Sequence, residues 1–128
     1  MHYRTAMAQG YLRAEIYGRN TADETQEFIR AVRDETRDKG INRVLVWVRN
    51  SRPIFQVEKY GLSDHFKQLA EDPSYRVALL ADSAEVRSSH EYVEMLARQQ
   101  GASLRSFRDE ASAISWLTGA AQPAKSGG

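Results

Sequence analysis

Apolar positions along the chain follow two periods, and stretches of the two kinds alternate. Apolar runs with a period of two, or with no polar residue at all, indicate strands, whereas apolar residues recurring every three or four positions indicate helices. The pattern predicts the order β-β-α-β-α-β-α-β-α. The predicted strands cover residues 3–8, 11–17, 43–49, 76–81 and 103–108.

Two of these strands are apolar on both sides, which is typical of strands in the middle of a covered sheet. They contain "VLVWV" at residues 44–48 and "VALLA" at residues 77–81. Gln9-Gly10 between the first two strands predicts a hairpin turn and one antiparallel edge. Strands joined through helices favour parallel pairing elsewhere. We therefore expect an α/β fold, with a mixed, mostly parallel sheet of about five strands and four helices on both faces.

Local signals place the helix ends. Thr21 and Glu24 fit a capping box at the start of the first helix, and Gly40 would end it. Asp82 with Glu85 predicts the start of the third helix, and Asp109 that of the last. The second helix is predicted over residues 56–72, where an internal glycine makes it the least rigid.

The domain organisation follows from the same pattern and from composition. Residues 1–119 are expected to form one domain, which suits a chain of 128 residues. Residues 120–128, "AAQPAKSGG", are small and polar, and we expect a disordered tail.

Composition excludes several classes of function. The net charge is +1, from 18 basic and 17 acidic residues, which argues against nucleic-acid or membrane-surface binding driven by bulk charge. The absence of cysteine excludes thiolate chemistry. No apolar run approaches the roughly 18 residues of a membrane span. The first residues lack the apolar core of a signal peptide, so a cytoplasmic location is expected.

Three stretches together resemble the SpoIIAA-like proteins, a branch of the STAS and CRAL-TRIO-like fold. They are "VLVWV" before a loop and loose helix, "YRVALLAD" before a helix, and "LRSFRDEASAISWL" at the end. The last stretch combines a short strand, Phe-x-Asp and then Ala-x-x-Trp-Leu, which is a recurring sequence pattern of that family. The likeness covers residues 3–118, and its motifs are packing features that bear on fold more than on function.

The resemblance implies two alternative functions. In CRAL-TRIO-like domains the region after the central strand is a movable flap over an apolar pocket for lipophilic ligands. In STAS anti-sigma-factor antagonists the same region carries an Asp-Ser-Ser-Gly-like motif whose serine is phosphorylated. Here it reads "RNSRPIFQVEKYGL" without that motif, and Ser51 is the candidate phosphoacceptor, with Ser63 as the alternative.

The residues themselves provide two candidate sites. The loop after the third strand offers Arg49 and Arg52 as an anion-binding pair around Ser51, and the alternative is a solvated turn. The second candidate is a lipophilic pocket under the loose helix, with Pro53 and Gly61 as hinges, and the alternative is ordinary core. The predicted pocket residues are Trp47, Ile54, Phe55, Tyr60 and Phe66.

Other chemistry finds no support in the sequence. The histidines His2, His65 and His90 lack metal-ligand spacing, no glycine-rich phosphate loop is present, and no catalytic set can be assembled. The remaining arginines, Arg19 among them, are dispersed and are assigned to solvated surface. We expect a non-enzymatic cytoplasmic carrier or sensor of a lipophilic small molecule, without cofactor or metal. The alternative is a regulator with a protein partner, and exposed apolar surface could support a homodimer.

Overall fold

The computed structural model describes residues 1–119, so the predicted disordered tail lies outside the described residues. A sheet of five strands forms the centre of this part of the chain. The strands are β1 (His2–Met7), β2 (Leu12–Tyr17), β3 (Arg43–Arg49), β4 (Arg76–Ala81) and β5 (Ser103–Ser106). They lie side by side in chain order, with β1 antiparallel to β2 and the other pairs parallel. The predicted fold class and element order are confirmed.

Four helices cover the sheet unequally, and the topology explains the division. They are α1 (Ala22–Lys39), α2 (Leu62–Ala70), α3 (Ala84–Gln99) and α4 (Glu110–Thr118). Each crossover from β2 to β5 steps one strand in the same direction, so right-handed connections place α1, α2 and α3 on one face. Since α4 follows the last strand, it is free to cover the other face. No helix within residues 1–119 is long and apolar enough to cross a membrane.

The two central strands are buried on both sides, as their apolar sequences predict. Val44, Val46 and Val48 of β3 belong to the core beneath α1, α2 and α3. Leu45, between them, is fully buried against Leu117 of α4. The prediction that residues 44–48 and 77–81 lie side by side is confirmed by the parallel pairing of β3 with β4.

The predicted helix cap is confirmed for α1 and is wrong for α3. Thr21 and Glu24 form both bonds of a capping box. The N-cap of α3 is Ser83 rather than Asp82, and the Ser83 hydroxyl accepts from the N–H of Val86 at 3.2 Å. Asp82 is still held by the sheet, because its N–H donates to the carbonyl of Val48.

The second helix is shorter than the predicted 56–72. It covers only Leu62–Ala70, and the five residues before it form turns. Gly61 adopts a left-handed backbone with φ 69° and ψ 25°, so a helix cannot run through it. It also gives α2 no side-chain cap. The segment between β3 and α2 is therefore an irregular loop across the face that carries α1 and α3.

Candidate functional site

A cavity of about 120 Å³ lies inside the core, between the sheet and α1, α2 and α3. Most of its wall is apolar, with Val46 from β3, Phe28 from α1, Phe66 from α2 and Val93 from α3. An engineered apolar cavity of roughly 150 Å³ is known to bind benzene, so this space is on the scale of one small ring. A long-chain lipid would not fit unless α2 moved.

The polar side chains in the wall share one sign of charge. No aspartate or glutamate is among the residues that line the cavity, whereas two guanidinium groups and two imidazoles are. This imbalance is local, since the whole chain has nearly equal numbers of acids and bases. The polar lining residues are Arg19, Thr25, Arg33, His65, Tyr75 and His90.

Arg19 is the most deeply placed of the charged groups. It follows β2, in the loop beside the carboxyl end of β3, and only 4% of its surface is exposed. Its guanidinium donates to the Thr25 hydroxyl at 3.2 Å and to the Arg52 carbonyl at 2.5 Å. No carboxylate within residues 1–119 lies at ion-pair distance from it. Burial lowers the pKa of Arg19, but an arginine does not give up its proton in a protein, so a buried charge remains.

The two histidines differ from Arg19, because burial leaves them uncharged. Desolvation, with the nearby charges of Arg19 and Arg87, lowers the pKa of His90 to about 4. Desolvation and the charge of Arg33 lower the pKa of His65 to about 4. Both imidazoles are therefore neutral at neutral pH. Nδ1 of His65 is buried and has no hydrogen-bond partner in the described chain.

The cavity approaches the surface between α1 and α2. Ile29, Arg33 and His65 line both the cavity and a surface groove between these two helices. One contact spans the groove near its end, where the Gln26 side-chain amide donates to the carbonyl of Tyr60 at 2.6 Å. This bond joins α1 to the loop before α2, in addition to the apolar core to which both helices contribute.

The structure separates the five residues predicted to form a pocket. Ile54 and Phe66 line the cavity, and Tyr60 packs against the same core near the Arg19 guanidinium. The assignment of Trp47 is wrong, because strand alternation turns it to the opposite face of the sheet, where it packs with α4. The assignment of Phe55 is also wrong, since 51% of its surface is exposed and its ring lies against Tyr92 outside the cavity.

The predicted anion-binding loop is not formed. Arg49 pairs with Glu15 at 3.3 Å and stacks on the Trp47 ring on the other face of the sheet, while the side chain of Arg52 is exposed. Ser51 joins the loops after β2 and β3, because its hydroxyl donates to the carbonyl of Arg49 and accepts from the N–H of Arg19. Phosphorylation of Ser51 would remove the hydrogen that its hydroxyl donates to the Arg49 carbonyl, so the geometry does not favour that role.

A second charged cluster lies on the face that α4 covers, and in it the buried carboxylate is paired within the chain. The Glu15 carboxylate, with 9% of its side chain exposed, contacts Arg4 at 2.9 Å, Arg49 at 3.3 Å and Arg13 at 3.5 Å. Partial desolvation alone would raise the pKa of Glu15, but hydrogen bonds from Arg4 and Arg49 outweigh it and the pKa is lowered. Arg13 also pairs with Glu110 of α4. This cluster ties the sheet to α4 and leaves its one buried carboxylate satisfied.

Arg19 is the residue that sequence reasoning missed. In composition it is one of several dispersed arginines, and nothing in its neighbours marks it as buried. A usable signal was present in the topology, because the loop after β2 must lie beside the loop after β3 once the two strands pair in parallel. Burial itself depends on the packing of α1 and the loop before α2, which no local pattern specifies.

Comparison of the chain with family models, curated proteins and solved structures found no match to any of them. The likeness to SpoIIAA-like proteins therefore stays a prediction. Across residues 1–119 no group of three or more histidines and carboxylates is placed to hold a metal ion.

Proposed function

We propose that this protein is a non-enzymatic binding module, a small cytoplasmic carrier or sensor that encloses a compact, largely apolar molecule beneath α2. The observation that carries the proposal is the cavity in the core, which is apolar over most of its wall and includes side chains from all three helices on that face. Small-molecule sites are typically concave and apolar, with a few placed polar groups.

The groove between α1 and α2 provides a route by which a ligand could reach the cavity, and it supports the same proposal. The groove shares lining residues with the cavity, and the Gln26 bond to the Tyr60 carbonyl links α1 to the loop before α2 across it. The helix α2 has 9 residues, follows Gly61 and has no side-chain cap, so its own backbone restrains it weakly. Three buried side chains still anchor it in the core, those of Leu62, Phe66 and Leu69. Short segments with few restraints are the ones that open locally in folded proteins.

Titration of the purified full chain with benzene and benzyl alcohol, followed by methyl and aromatic NMR shifts, tests the proposal. We expect saturable shifts at Val46, Phe66 and Val93, which line the cavity. Native mass spectrometry after gentle purification, with extraction of apolar compounds, would identify a resident ligand. No saturable shift with either probe and no retained mass would overturn the proposal.

A cavity-filling variant localises the binding. Val46→Leu adds a methylene group to the cavity wall and should weaken binding of either probe by roughly tenfold or more. The matched control is Leu45→Met, the adjacent residue, which faces α4 instead and nearly conserves volume. Equal binding by both variants would place the probe elsewhere.

A further inference from the structure

The charges around the cavity do not balance within the described chain. Arg19 and Arg33 both line the cavity, and neither guanidinium has a carboxylate at ion-pair distance among residues 1–119. Glu24 is the acidic residue whose charge reaches Arg19, but its carboxylate is bonded to the N–H groups of Asn20 and Thr21. A buried cation without a counter-ion destabilises the fold. A negative group on a bound ligand would offset the desolvation free energy of that cation.

Arg19 also has free hydrogen-bonding capacity. A guanidinium has five N–H donors in a planar fork, and those of Arg19 make only the bonds to Thr25 and to the Arg52 carbonyl. These two bonds fix the plane of the group while leaving other N–H donors free. His90 lies close enough to Arg19 to be influenced by its charge and also makes no hydrogen bond to the described chain, so it offers a further ring N–H.

We propose that the ligand of this cavity is a small organic anion, a monocarboxylate with a compact apolar body, whose carboxylate pairs with Arg19 while its body fills the space between β3, α1 and α2. This rests on the proposed function and names its ligand class. A planar carboxylate matches the guanidinium fork. A cavity of about 120 Å³ admits one small ring or a short branched chain beside it.

The proposal is tested with matched probes of one shape and different charge. Benzoate, benzamide and benzyl alcohol share a ring and differ in the group that would meet Arg19. We expect the full chain to bind benzoate at least tenfold more tightly than either neutral probe, measured by calorimetry at pH 7. Equal affinities would overturn the carboxylate assignment while leaving the proposed function intact, whereas no binding of any probe would overturn both.

Variants assign the counter-ion. Arg19→Gln should reduce benzoate affinity at least tenfold and change benzyl alcohol affinity by less than about threefold, because only the charged contact is lost. Arg30→Gln, at an exposed position on α1, is the matched control and should change neither. Arg33→Gln tests the other guanidinium, and a loss of benzoate selectivity there but not in Arg19→Gln would overturn the role of Arg19. If Arg19→Gln fails to fold, the probe series on the unchanged protein still decides the ligand class.

A chain-length series separates a small free acid from the head of a fatty acid. Butyrate, octanoate and palmitate present the same carboxylate with bodies of increasing length. The cavity volume predicts that affinity stops rising once the body exceeds about a ring in size. Affinity that continues to rise through palmitate would show that the chain extends between α1 and α2, and would overturn the small-acid assignment.

Discussion

The two faces of the sheet bury charge in opposite ways. On the face that α4 covers, one carboxylate, Glu15, is surrounded by Arg4, Arg13 and Arg49 and is paired with each of them. On the face beneath α1, α2 and α3, Arg19 is buried at least as deeply and has hydrogen bonds but no carboxylate. In the first arrangement the buried ion has its counter-charges within the chain, whereas the buried ion of the second has none among the described residues.

This difference separates structural charge from candidate functional charge. Both faces contain aromatic and arginine side chains. By residue type alone, the Trp47 and Arg49 pair would be the stronger candidate, because the guanidinium carbon of Arg49 lies 4.1 Å from the centroid of the Trp47 ring. That pair has its carboxylate in Glu15, at 3.3 Å from the Arg49 guanidinium, and neither residue lines the cavity, although Nε of Arg49 is buried without a hydrogen-bond partner in the described chain. The site is better found by asking which buried cation lacks a carboxylate, because a buried charge without a counter-charge is costly and needs an explanation. Arg19 meets that criterion and Arg49 does not.

The largest expected difference between the faces is in their response to acid. His65 and His90, with pKa values of about 4, belong to the cavity face, and their pKa when unfolded is near 6.5. Between these values the unfolded chain binds more protons, so the free energy of unfolding falls as pH falls from 6.5 towards 4. At pH 5 the loss is about 2 kcal/mol for a fully buried histidine, and less for half-buried His65. Urea unfolding at pH 7.5 and pH 5 measures it.

Substitution identifies the source of that acid sensitivity. His90→Gln should remove most of the difference between the two pH values, and His2→Gln, at an exposed position in β1, should leave it unchanged. Glu15 cannot produce the effect in this window, because its lowered pKa places its titration below the usual 4.5. An undiminished loss at pH 5 in His90→Gln would show that protonation of His90 is not what destabilises the fold in acid.

Most of the fold followed from the sequence because each central element repeats one signal over its whole length. The apolar runs of β3 and β4 are of this kind, and both are confirmed. The capping box at Thr21 is also confirmed, because its two residues agree on one helix start. The errors fall where a single residue decides between alternatives. Asp82 and Ser83 are both good N-caps, and the strand bond from the Asp82 N–H, which is a tertiary contact, selects Ser83.

The loop before α2 provides the next prediction. Gly61→Ala would place a side chain at φ 69° and bring its Cβ to within 2.6 Å of the Gln26 amide nitrogen. We expect a loss of about 2 kcal/mol, from backbone strain and from the broken bond to the Tyr60 carbonyl, in chemical unfolding. Gly18→Ala is the matched control, with φ 67° and no atom near the new Cβ, and should cost about 1 kcal/mol.

A double variant separates the two causes. Gln26→Ala removes both the obstruction and the bond, so Gly61→Ala made in that background should cost only the backbone strain, about 1 kcal/mol. Gln26→Ala alone should also speed the entry of a cavity probe, because the bond across the groove is lost. Additive costs for the two substitutions would show that they do not meet at the mouth of the cavity.

The candidate site was harder to predict than the fold, for a physical reason. Ile54 and Phe66 were found because apolar residues beside a loose helix tend to be buried under it. Trp47 was misplaced because strand alternation had to be applied to a segment that is apolar on both sides, where the pattern does not distinguish the faces. Arg19 was missed because its burial arises from residues distant in sequence, such as Thr25 and Arg52.

The smallest expected effect is that of Arg19→Gln on stability, and comparing it with Glu15→Gln tests directly whether the two faces bury charge differently. Glu15→Gln removes the one carboxylate that contacts all three guanidinium groups of its cluster and leaves Arg13 paired, among the described residues, only with Glu110. Because those groups are partly exposed, we expect a loss of about 1–2 kcal/mol. Arg19→Gln also removes a buried charge, but in that variant the lost hydrogen bonds are offset by relief of an uncompensated cation. Its free energy of unfolding should stay within about 0.5 kcal/mol of the unchanged protein or exceed it. Equal losses in the two variants would mean that Arg19 is as well neutralised as Glu15, and the two faces would then bury charge in the same way.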